Sequence, residues 1–89
     1  MIERELAVSN RLGLHARASA KLVQVLSGFR CSATLAAKGR EVNAKSIMGV
    51  MLLAAGPGTT VLLRVDGEEE AAAMAAVAEL FERKFDEED

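Results

Sequence analysis

The sequence predicts an open two-layer sandwich, a sheet with helices packed on one face, and three observations carry that prediction. Apolar residues switch between a period of two and a helical period, in the order strand, helix, strand, strand, helix, strand, helix. The links between these segments are short, which places successive elements against one another in one α/β (α+β) unit. Lys38-Gly39, between two strand-like runs, demands a hairpin and so fixes one antiparallel pair. Periodicity leaves the remaining strand order open.

The elements follow in turn. "IERELAV" alternates, with Ile2, Leu6 and Val8 to one side and Glu3 and Glu5 to the other, as a half-buried strand does. "SNRLG" breaks it, and Gly13 is free to take the positive φ of a tight turn. Leu12 and Leu14 bracket that turn and are expected to anchor it. From Ala16 to Ser27 the pattern is helical, with Ala18, Leu22, Val25 and Leu26 on one stripe and Gly28 as its stop. "CSATLAA" and "REVNA" form the hairpin arms. A short helix runs from Ile47 to about Ala54 or Ala55, with Ser46 as N-cap and "GPG" after it. "TTVLLRV" is the last strand. A final helix carries Met74, Val77, Ala78 and Phe81 on one stripe. Asp66 and Glu69 have capping-box spacing before it, and "FDEED" after it is expected to be a frayed acidic tail.

Composition narrows the function. Eighty-nine residues make one domain, 1–89, with a modest core and little depth for an enclosed substrate cavity. A net charge of −2 and only three aromatic residues, all Phe, argue against a nucleic-acid partner. Cys31 is alone and His15 is the only histidine, so no metal-ligand spacing exists and no metal or cofactor is expected. The longest apolar run, "IMGVMLLAAG", falls short of the ~20 residues that cross a bilayer, and no signal segment opens the chain. The expectation is a cytoplasmic protein with no membrane insertion.

His15 stands where the first turn ends and the first helix begins. A helix start has N–H groups without partners and the positive end of the macrodipole, so it attracts phosphate and leaves a neutral, nucleophilic imidazole available. Arg17 can add a charge-assisted fork. The residues alone therefore leave two readings: an ordinary cap or packed side chain, or a histidine that accepts a phosphoryl group on an exposed surface. A lone histidine without a paired nucleophile makes a poor turnover enzyme. Ile47, Met48 and Met51 exceed what a short helix can bury, and adaptable Met side chains suit a patch that meets several partners. Arg11, Arg17, Lys21 and Lys45 can rim it and steer acidic partners.

"GLHARASAKLV" together with "NAKSIMGVMLLAAGPG" resembles the HPr family, the histidine-containing phosphocarriers of the bacterial phosphotransferase system. The likeness spans nearly the whole chain. It implies a βαββαβα fold with a four-stranded antiparallel sheet and three helices on one face. It implies that Nδ1 of His15 takes a phosphoryl group from phospho-enzyme I, charged by phosphoenolpyruvate, and passes it to enzyme II A domains. Arg17 would assist the phosphohistidine, and the backbone at Ala16 and Arg17 would face the phosphate. Ser46 matches the serine that an ATP-dependent HPr kinase/phosphorylase modifies in bacteria that have one. Such a protein is a phosphoryl-transfer intermediate rather than a turnover enzyme, and a monomer is expected. Ala18 departs from the family's usual proline. Alanine keeps the helical turn with more freedom, so only the tuning of transfer is affected. The competing readings are a purely regulatory, nitrogen-type relay and, outside the family, a small ligand-sensing or interaction module or an acylphosphatase-like hydrolase.

Overall fold

The computed structural model describes residues 1–87. Strand β1 (Ile2–Ala7) leads to helix α1 (Ala16–Ser27), then β2 (Ser32–Ala37), β3 (Arg40–Asn43), α2 (Ile47–Leu52), β4 (Thr60–Asp66) and α3 (Glu70–Glu82). A 3-10 turn at Lys84–Asp86 follows. The strands lie in the order β1-β4-β2-β3, and every neighbouring pair is antiparallel. This is the four-stranded open sheet with three helices that the family resemblance implies.

Register explains the two layers. Leu6 lies opposite Val61, Leu35 opposite Leu63, and Ala33 opposite Val65, all buried toward the helices. On the other face Glu3 and Thr34 both flank Arg64, whose guanidinium pairs with Glu3 and, at 3.0 Å, with Glu41. A side-chain period of two thus splits each strand into an apolar and a charged edge. Leu22 and Leu26 of α1, Val50 of α2 and Val77 of α3 close the core without solvent contact. Truncating such a leucine to alanine costs about 2–5 kcal/mol. In the β2–β3 turn, Lys38 and Gly39 have φ of 53° and 77°, the left-handed pair that a two-residue hairpin requires.

Four expectations need correction. The second helix stops at Leu52 instead of reaching Ala54 or Ala55, because Leu53 turns in to the core and Ala54 takes a left-handed φ of 49°. The Asp66–Glu69 capping box does not form. Asp66 and Glu70 pair with the N-terminal ammonium at 3.5 and 3.1 Å, Glu69 accepts the Arg30 N–H at 2.9 Å, and Glu70 accepts the Gly67 N–H at 3.1 Å. Only the return half of a box exists, one residue on, since Gly67 has no side chain to accept an N–H in exchange. Leu14 is buried as an anchor, whereas Leu12 is 63% exposed. The start of "FDEED" is no frayed tail: Phe85 is buried, with its ring centroid 4.9 Å from that of Phe81. Glu88 and Asp89 lie outside the described residues.

Candidate functional site

The turn before α1 is built around Gly13, whose φ is 68°. A Cβ there would come within 2.6 Å of the Ala55 carbonyl oxygen and 2.8 Å of Gly56 Cα, so only glycine fits. The Leu14 N–H donates to Ala55 O at 2.9 Å, stitching this turn to the chain that leaves α2. Leu14 itself is buried, and the Ser19 hydroxyl donates to its carbonyl at 3.2 Å. These contacts fix the backbone of His15 with extended dihedrals, as the N-cap of α1.

The imidazole is the cap. Its Nδ1 accepts the backbone N–H of Arg17 at 3.1 Å, and the His15 backbone carbonyl accepts the Ser19 N–H at 2.8 Å. An accepting Nδ1 carries a lone pair, so a proton on the neutral ring resides on Nε2. The N–H groups at the first turn, Ala16 among them, have no carbonyl within the helix to receive them. His15 lines a shallow hollow of about 520 Å³ with Arg11, Leu12, Arg17, Ala18 and Lys21, closed on one side by Phe85, Asp86 and Glu87. Among the described residues, the Arg11 and Arg17 guanidinium groups make no ion pair. The hollow therefore combines an unprotonated ring nitrogen, free first-turn N–H groups and two uncommitted cations, which is the chemistry of a phosphoryl acceptor.

The other predicted residues divide. Lys21 belongs to the hollow, but its Nζ donates to Phe85 O at 2.8 Å and lies 3.6 Å from Asp86, so it ties α1 to the chain after α3. Lys45 lies away from it, half-buried, donating to Phe29 O at 3.0 Å. Ser46 caps α2, its Oγ accepting the Gly49 N–H at 3.1 Å. Ile47, Met48 and Met51 are exposed, and Leu52 joins them at 61%. Ile47 with Met51 and Met48 with Leu52 are four apart, so they form one stripe.

Sequence reasoning missed a pair at this site: Glu87, which lines the hollow, and Asn10, which is buried beside it. Asn10 is fully buried, and its Nδ2 donates to Gly13 O at 2.7 Å and to a Glu87 carboxylate oxygen. The other Glu87 oxygen lies 3.4 Å from His15 Nε2. Desolvation pushes the Glu87 carboxyl up, but the hydrogen bond from Asn10 and the nearby His15 Nε2 outweigh that and hold it below the ordinary glutamate value. The Asp86 carboxyl is also lowered, chiefly by its hydrogen bond from Arg83. The available signal was Phe85, four residues beyond Phe81 on the apolar stripe. Among the described residues, no cluster of three His, Cys, Asp or Glu side chains could hold a metal ion, and no helix is long and apolar enough to cross a membrane.

Residues 2–83 match the family model described as the PTS HPr component phosphorylation site. The chain belongs to the HPr family. It is 64% identical over 87 residues to the phosphocarrier protein HPr of Xylella fastidiosa (strain Temecula1), with 98% of each chain covered. It is 51% identical to the phosphocarrier protein HPr of Cupriavidus necator, again over 98% of both. The crystal structure of HPr-C-His from Thermoanaerobacter tengcongensis superposes with a TM-score of 0.95 at 40% identity, covering all of both chains. The His15 turn and the serine-capped helix lie within the matched residues, whereas Phe85, Asp86 and Glu87, which close the hollow, lie beyond them.

Proposed function

We propose that this HPr-family protein is the phosphocarrier of a phosphoenolpyruvate-dependent phosphotransferase system, with His15 as the group that carries the phosphoryl. Enzyme I supplies it and enzyme II A domains receive it, all in the cytoplasm. The observation that carries the reading is the His15 cap: its Nδ1 holds an accepting lone pair at the start of α1, inside a hollow that carries Arg11, Arg17 and Lys21.

The geometry suits an in-line transfer that needs positioning and charge more than a deep pocket. The Nδ1 lone pair attacks phosphorus while the bond from phosphorus to the donor breaks, and the donor keeps that electron pair. Nδ1 then no longer accepts from Arg17, so that N–H is released toward a phosphate oxygen, beside the Ala16 N–H. The Arg17 guanidinium adds a charged fork. The return step reverses this, with the electron pair of the P–N bond going back to Nδ1.

Ile47, Met48 and Met51, with Leu52 and Leu12, offer partners an apolar docking stripe, joined to the His15 turn through the Leu14–Ala55 hydrogen bond. Arg11, Arg17 and Lys21 steer acidic partners toward it, while Lys45 contributes only from the side. Ser46 serves as a regulatory site where an HPr kinase/phosphorylase is present. A phosphate there meets the favourable end of α2 and changes the docking surface without melting the helix.

Incubation with enzyme I and phosphoenolpyruvate should give one acid-labile, base-stable phosphate per chain, absent from His15→Ala. A wild-type protein that stays unlabelled would remove the reading.

A further inference from the structure

We propose that Glu87 is a positioning residue for the transfer: it holds the Nε2 proton of His15, so that Nδ1 remains the nucleophile and the phosphorylated ring keeps a counter-charge. This inference rests on His15 being the phosphoryl acceptor. It starts from the backbone after α3, where Lys84, Phe85 and Asp86 have φ of 54°, 57° and 59°. Three successive left-handed residues without a glycine persist only where their surroundings over-determine them. Here they do. Phe85 is buried on Phe81, its carbonyl accepts from Lys21 at 2.8 Å, and Asp86 accepts from Arg83 Nε at 3.0 Å.

The result of this strained turn is the placement of one carboxylate. The Glu87 side chain is 14% exposed and sits between Asn10 Nδ2 and His15 Nε2. Asn10 is fully buried and also holds the Gly13 carbonyl, so a single side chain joins the carboxylate to the histidine turn. His15 Nε2 is shielded from solvent and, among the described residues, makes no hydrogen bond of good geometry; Glu87 Oε1 stands 3.4 Å away. A contact of that length in the resting protein shortens when one partner gains charge.

Transfer supplies the charge. When the Nδ1 lone pair forms the P–N bond and the donor leaves with its electron pair, the proton remains on Nε2 and the ring becomes a phosphoimidazolium. Its positive charge then faces Glu87 directly. On the return step the P–N electrons go back to Nδ1, and Nε2 still carries its proton. Glu87 exchanges no proton and touches no phosphorus, so it acts through the imidazole alone.

The test compares wild type, Glu87→Ala and Glu87→Gln, with thermal unfolding as the control for folding. Two quantities are read: the rate of labelling from enzyme I and phosphoenolpyruvate, and the Nε2 proton and nitrogen resonances of the phosphorylated histidine. Glu87→Ala should slow labelling about tenfold and expose the Nε2 proton to rapid exchange. Glu87→Gln keeps an acceptor without the charge, so it should protect the proton and label at an intermediate rate. Equal labelling rates in wild type and Glu87→Ala, or an Nε2 resonance unmoved by the substitution, overturn the inference while leaving the phosphocarrier reading intact. A wild type that is not labelled at all overturns both.

Discussion

The starts of α1 and α2 are the same device with different consequences. Each helix begins with a side chain that accepts a first-turn N–H at 3.1 Å: His15 Nδ1 from Arg17, and Ser46 Oγ from Gly49. Around His15 stand Arg11, Arg17, Lys21 and the Asn10–Glu87 clamp. Around Ser46 stand Asn43, whose Oδ1 accepts the Lys45 N–H at 2.9 Å, and a lysine whose ammonium is engaged by Phe29. A neutral imidazole is a nucleophile near neutral pH, whereas a serine hydroxyl needs a base to become one. A capping hydrogen bond alone therefore does not make a transfer site. In the proposed reading, the cations and the second anchor around the His15 cap make the difference.

That contrast can be broken from either side. The largest effect is expected at Arg17: Arg17→Ala should slow phosphoryl acceptance about a hundredfold, as loss of a charge-stabilising donor does. Lys45→Ala, at the other turn, should stay within about twofold of wild type in the same labelling assay. If the two substitutions slowed transfer equally, the division between the turns would be wrong.

Next comes Gly13→Ala, which places a Cβ against the Ala55 carbonyl at a φ that alanine resists. It should destabilise the fold by about 3 kcal/mol, read from urea or thermal unfolding. Ser46→Ala removes only a cap and should cost about 1 kcal/mol while leaving labelling at His15 unchanged.

The smallest effect is a pH response of the segment after α3. The Glu87 and Asp86 carboxyls both titrate below their ordinary values, so their contribution is complete above the ordinary carboxylate range. It is lost as pH falls through the lowered values. The Phe85 ring resonances should report that segment loosening in acid. A response in the alkaline range instead would assign the contacts to other groups.

Much of this was legible in the sequence, for reasons that particular residues show. Leu6, Leu35 and Leu63 each have one polar neighbour, Glu5, Thr34 and Arg64, and apolar residues recur two positions away, so strand and face could be read together. Gly13 and Ser46 marked the two helix starts because turn and cap chemistry are local. The α3 cap was misplaced because Asp66 is drawn to the N-terminal ammonium, a partner distant in sequence. The Glu87 clamp was hidden for a similar reason. It depends on three left-handed residues, which no periodicity announces, and on Asn10, 77 positions away in the chain. Lys45 looked like any other rim cation until its ammonium was found on a backbone carbonyl.

One measurement addresses the central claim directly. With 15N-labelled histidine there is a single imidazole to observe, since His15 is the only histidine. After phosphorylation by enzyme I, the account predicts a 31P–15N coupling at Nδ1, with Nε2 still protonated. A coupling at Nε2, or a phosphate attached to Ser46 with the imidazole unchanged, would contradict it.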